Sequence, residues 1–64
     1  MHRSLYAYDP ATGVELASLS ATIQPHLAQL SDDDVIKEGR RELVRLHSLT
    51  QSQADGARYE VRED

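Results

Sequence analysis

Carboxylates are the residues of this chain with the most chemical potential. Asp32, Asp33 and Asp34 are consecutive, Glu38 and Glu42 follow at helical spacing, and Glu60, Glu63 and Asp64 crowd the last few positions. Asp9 and Glu15 add two more in the N-terminal part. Gathered on one face, such acids would imitate the phosphate pattern of a duplex. A basic groove built for DNA would then attract them strongly and quickly. The same acids equally suit a plainer role, as helix-capping groups on an ordinary solvated face. Tyr6 and Tyr8 alternate with Leu5 and Ala7. If Leu5 and Ala7 face inward, both rings face out side by side, as interface anchors or as platforms for bases. The alternative puts one or both rings in the core, since the chain has few other large side chains.

The other residues able to do chemistry form no constellation. His2, His26 and His47 are single and far apart, with neither an i,i+4 pair nor a His-Glu-x-x-His pattern, so no metal site is expected. Near a helix C-terminus, His47 suits the helix dipole. No serine or threonine stands in a nucleophile context such as Gly-x-Ser-x-Gly. The three glycines are isolated and make no phosphate loop. No cofactor is expected, and so small a chain offers little depth for a catalytic pocket, so an enzyme is not expected. Lys37, Arg40, Arg41 and Arg45 form the one basic cluster. Alternating acids neutralise it, which fits intrahelical pairing better than a DNA recognition helix. Arg40 lies nearer the apolar boundary and fits either a partner contact or a snorkelling edge residue.

These side chains need elements to position them. Ser31 to Ser48 reads as one long helix, over residues 32–48. Ser31 can cap it with Asp34 at N3, and three aspartates sit at the positive end of the dipole. At 100° per residue, Val35, Ile36, Gly39, Leu43 and Leu46 fall on one arc, and Leu49 falls off it. The polar face carries Asp34, Glu38 and Glu42 with Lys37, Arg41 and Arg45, giving Glu38–Arg41 and Glu42–Arg45 pairs at i,i+3. Residues 3–19 read as a hairpin. Ser4–Tyr8 is β-prone, Asp9-Pro10-Ala11-Thr12-Gly13 is a turn ending in a left-handed glycine, and Val14–Ala17 resumes the alternation. A turn of this length suits a bulge. Residues 15–24 allow two readings. A strand can run to about Leu19, with a short helix over 25–30 opened by Pro25 as N1. Alternatively a kinked helix runs from about Glu15, on the 3–4 spacing of Leu16, Leu19, Ile23, Leu27 and Leu30. The turn favours the first, because it needs a partner strand. Residues 49–56 read as a loop with an Asp55-Gly56 turn. Residues 57–62 read as a final strand with Ala57, Tyr59 and Val61 inward. The expected fold is α+β, a single domain over 1–64. It has a small three-stranded antiparallel sheet, the hairpin plus the C-terminal strand, packed against one long and one short helix.

With 64 residues, no cysteine and only Tyr6, Tyr8 and Tyr59 as aromatics, the core rests on Leu, Val, Ile and Ala. A chain of this size buries only about 60% of its unfolded surface, so help from a partner or a second copy is reasonable. Net charge is −4, which argues against direct electrostatic binding of nucleic acid. There is no apolar run near membrane-spanning length and no secretory signal, so a cytoplasmic protein without membrane contact is expected.

In overall character the chain resembles the small acidic inhibitor proteins of phages and mobile elements, in particular the anti-CRISPR proteins. The features that carry the resemblance are short length, absence of cysteine, a compact mix of strands and helices, and acids at Asp32–Asp34, Glu38, Glu42 and Glu60–Asp64. Among those proteins are inhibitors of type I Cascade that occupy its DNA-binding surface as duplex mimics. The resemblance implies that these acids meet Lys and Arg of a Cascade subunit near the site that reads the PAM. Lys37, Arg41 and Arg45 depart from a pure mimic. The expected function is thus inhibition by stoichiometric binding of a protein with a basic DNA-binding surface. The expected contacts are Asp32, Asp33, Asp34, Glu38, Glu42, Glu60, Glu63, Asp64, Tyr6 and Tyr8. The alternative is a homodimeric regulatory or accessory protein, an antitoxin or transcriptional partner, associating through the apolar arc Val35–Leu46.

Overall fold

The computed structural model describes residues 3–20 and 25–63; the side chain of Pro25 is left aside. His2, Ile23 and Asp64, all invoked above, lie outside the described residues.

The hairpin forms as its turn chemistry dictates. Strand β1 is Arg3–Tyr8 and β2 is Glu15–Ser20. Between them the Asp9 carboxylate accepts from Ala11 N at 2.8 Å, and Gly13 N donates to Asp9 O at 2.7 Å. Gly13 has φ +75°, the left-handed conformation glycine adopts without cost. The register runs Ala7↔Ala17 and then Tyr8↔Glu15, so Leu16 is the extra residue of a bulge. Glu15 to Ser20 is strand, which removes the kinked-helix reading of that stretch.

After residues 21–24, Pro25–Gln29 forms a 3-10 helix, slightly short of the helix expected over 25–30. Helix α1, Asp32–Arg45, starts where its cap predicts, with Asp34 N donating to Ser31 Oγ at 3.3 Å. It ends three residues before the expected Ser48. Ser48 N donates to Leu43 O at 2.9 Å and His47 N to Val44 O at 3.0 Å, a Schellman closure. His47 holds the left-handed position usually given to glycine, at φ +62°. The early stop turns Leu46 outward, 44% exposed, and carries Leu49 into the core at 3%. Both depart from the helical-wheel expectation, because neither residue is on a helix.

The expected loop over 49–56 also needs correction, since Gln51–Gly56 is a short helix, α2. Thr50 Oγ1 accepts from Gln53 N at 3.1 Å while Gln53 Oε1 accepts from Thr50 N at 3.0 Å, a complete capping box. Leu49 and Ala54, the flanking N′ and N4 residues, are both buried, the arrangement of a hydrophobic staple. Strand β3 is Arg58–Glu63, one residue later than expected.

The three strands order as β2-β1-β3, antiparallel throughout. One face of the sheet carries Leu5, Ala7 and Leu19. They join Leu27, Val35, Leu43, Leu49 and Ala54 in one buried cluster, against which Tyr59 and Val61 pack. The helices therefore cover one face of an α+β sheet, as expected. Gly39 is buried on α1 and marks the closest approach: a Cβ there would strike Leu5 Cδ2.

Candidate functional site

The predicted contact residues occupy three separate places. The first is the end of the molecule where α1 begins. Arg3 reaches it from β1, with its side chain only 13% exposed. Its guanidinium donates to Leu27 O at 3.3 Å, to Leu30 O and to Asp32 Oδ1, and lies 3.9 Å from Glu63. Asp32 and Glu63 are 31 positions apart, and Arg3 brings them together. Asp33 and Asp34 stand beside them, exposed. Arg3 thus holds Asp32 and Glu63, and Asp33 and Asp34 follow Asp32 in the exposed first turn of α1.

The second place is one flank of α1. Glu38 and Glu42 are half-buried there rather than on the outermost face. Arg41 lies 3.9 Å from Glu38. Arg45 donates twice to Glu42, at 2.7 Å from both Nε and Nη2. These hydrogen bonds from Arg45, with smaller help from His26, hold the Glu42 carboxyl below the usual glutamate range. Both expected i,i+3 pairs form, so this flank is mixed in charge.

The third place is the face of the sheet away from the helices. Tyr6 and Tyr8 both point there, half-buried, with centroids 6.4 Å apart and rings 24° from parallel. Strand pairing sets Glu60 opposite Tyr6 and Arg58 opposite Tyr8. Arg62 lies 4.7 Å over the Tyr6 ring, and Arg58 5.5 Å over the Tyr8 ring. Arg62 also donates to Tyr8 Oη at 2.7 Å and pairs with Glu60 at 3.1 Å. That pairing lowers the Glu60 carboxyl and raises the Arg62 guanidinium. Each ring already carries a guanidinium over it, and a carboxylate sits between the two arginines. The surface is a mixed-charge aromatic patch, not a bare platform for bases.

The acids do not converge on one face. Glu60 belongs to the open sheet, Glu38 and Glu42 to the helix flank, and Asp32–Asp34 with Glu63 to the helix end. Three residues that matter were not singled out from the sequence: Arg3, Arg58 and Arg62. For Arg3 a signal existed. If Leu5 and Ala7 face the helices, the alternation puts Arg3 on the same side. For Arg58 and Arg62 the alternation gave their outward direction, but their place beside the tyrosines depends on β3 pairing with β1.

Among the described residues no group of three His, Asp or Glu side chains is arranged to hold a metal, and no helix is long and apolar enough to cross a membrane. No protein-family model, no curated protein and no solved structure matches the chain.

Proposed function

We propose that this protein is a non-enzymatic inhibitor of the anti-CRISPR kind. It binds stoichiometrically to a nucleic-acid-handling protein, such as a Cascade subunit, and occupies its basic DNA-binding surface. The observation that carries the reading is the acidic end of the molecule. Arg3 draws Glu63 and Asp32 together, and Asp33 and Asp34 extend the same end toward solvent. Carboxylates so gathered would be steered to a lysine- and arginine-lined groove. Glu38 and Glu42 contribute less, because each faces an arginine of its own helix. The test is competition with DNA on a purified type I Cascade complex. The protein should bind at low salt, dissociate as salt rises and be displaced by duplex DNA carrying the PAM. Asp33→Asn with Asp34→Asn should weaken binding at least tenfold without unfolding, since the Ser31 cap uses only the backbone of Asp34. Binding indifferent to salt, to DNA and to this variant would falsify the proposal.

A second reading rests on the Tyr6–Tyr8 patch, whose tyrosines and arginines are the residue types that anchor protein interfaces. In that reading Tyr6→Ser with Tyr8→Ser abolishes partner binding while the Asp33, Asp34 variant retains it. The dimer through the helix arc finds less support, because Val35, Gly39 and Leu43 are buried within the chain's own fold and of that arc only Ile36 and Leu46 keep exposed surface.

A further inference from the structure

The seven basic residues divide sharply by what holds them. Arg3 is bound to carbonyls and carboxylates, and Arg45 is bidentate on Glu42. Arg58 and Arg62 lie over tyrosine rings. Arg41 has only Glu38 at 3.9 Å, well beyond the ~2.7–2.9 Å of a strong charge-assisted bond. Lys37 and Arg40 form no ion pair or hydrogen bond with any described residue. These last three line a notch of about 220 Å³ between α1 and α2, closed by Val44 and Gln51. Apart from Arg58, which lies over a tyrosine ring, the cations without a close carboxylate among the described residues therefore lie together at one concave place.

That concentration is unfavourable by itself. Lys37 and Arg41 are like charges at i,i+4, and Lys37 and Arg40 at i,i+3, spacings that destabilise a helix. The acids of α1 sit at its first turn and on the Glu38–Glu42 flank. Two carboxylates touch residues of the notch: Glu38 lies 3.9 Å from Arg41, and Asp55 accepts the Gln51 side-chain amide at 2.9 Å.

We propose that this notch binds a phosphate monoester. One ammonium and two guanidiniums suit a group with three acceptor oxygens and nearly two negative charges, rather than a carboxylate with two oxygens and one charge. Val44 gives an apolar wall for the carbon skeleton of an ester. The site uses none of the residues of the acidic end, so it stands or falls separately from the inhibitor reading.

The test is titration of the isotopically labelled protein with phenyl phosphate, inorganic phosphate and benzoate, followed by nuclear magnetic resonance. Phenyl phosphate should produce saturable shifts confined to residues 37–44, Gln51 and the Arg40 and Arg41 side chains. Inorganic phosphate should act on the same residues more weakly, and benzoate should not saturate. Lys37→Ala with Arg40→Ala should weaken phenyl phosphate at least tenfold and leave the rest of the spectrum unchanged, since both side chains are exposed. Unsaturable shifts spread equally over Arg45, Arg58 and Arg62, or unaltered binding by the double variant, would overturn the site. Equal affinity for inorganic phosphate would overturn the ester assignment and leave free phosphate as the ligand.

Discussion

His47 shows how a single residue can carry strain that its neighbours enforce. Its φ of +62° is set by the Schellman bonds that close α1, and a residue with a Cβ pays about 1–2 kcal/mol for that conformation. Its side chain is exposed. Glycine relieves the strain and loses some chain entropy, so His47→Gly should stabilise the fold by roughly 0.5–1 kcal/mol. A urea midpoint that falls instead would mean the imidazole contributes more than the strain costs. Tyr59 is the opposite case, a side chain whose polar tip is used. Its hydroxyl donates to Ala54 O at 2.6 Å, joining β3 to α2. Burial, countered in part by Arg40, raises its phenol above the ordinary value of about 10. The folded state therefore favours the protonated ring more than the unfolded state does. This contribution is complete below pH 10 and is lost as pH rises through 10 and beyond. Tyr59→Phe should cost about 1 kcal/mol at neutral pH and make the alkaline decline of the urea midpoint shallower. An identical alkaline decline in both proteins would locate the titration elsewhere.

At the scale of elements, helix propensity and packing conflict at Gly39. Glycine inside a helix costs about 1 kcal/mol relative to alanine. Here the missing Cβ is what lets α1 lie against Leu5, which is fully buried, with Leu19 Cδ2 within 3.7 Å of the same point. Leu5 can yield only by moving within the buried core cluster. Gly39→Ala should thus lower stability by about 1–2 kcal/mol, the overpacking cost exceeding the propensity gain. A more stable variant would show that the Leu5 side chain can rearrange. The same elements show what could be read from the sequence. The Asp9–Gly13 turn and the Ser31 cap act within a few residues, so each was legible and placed its element correctly. The alternation of Tyr6 and Tyr8 with Leu5 and Ala7 was legible for the same reason. Helix α2 was missed because its one buried apolar residue, Ala54, makes no period, although the Thr50-x-x-Gln53 box was there to be read. The end of α1 was placed late because His47, not glycine, takes the left-handed position. The candidate site was legible only in pieces. Strand order decides that Arg58 and Arg62 cover the tyrosines, and a contact between β1 and the start of α1 decides which acids share an end.

For the molecule as a whole, Arg3 is the residue through which separate elements are joined. Its guanidinium meets carbonyls at Leu27 and Leu30, the first residue of α1 and the last described residue of β3. Two kinds of contact are mixed there. The ion pair with Asp32 is made to a side chain 72% exposed, and exposed pairs contribute only about 0–1 kcal/mol. Leu27 O also accepts from Leu30 N at 3.4 Å, so the acceptor that depends on Arg3 is the part-buried carbonyl of Leu30, and leaving such a group without a donor costs about 1–3 kcal/mol. The carbonyl contacts should therefore outweigh the ion pair. Arg3→Met, which keeps the stem and removes the guanidinium, should lower stability by about 2 kcal/mol. Asp32→Asn should lower it by less than about 0.5 kcal/mol. Amide exchange should quicken at the start of α1 and the end of β3 in the methionine variant, and remain slow in the hairpin at Ala7 and Ala17. Equal losses from the two substitutions would reverse this order and make the acidic end a salt-dependent joint. In that case the acids offered to a basic partner would also be the ones holding the fold together, and binding would compete with stability.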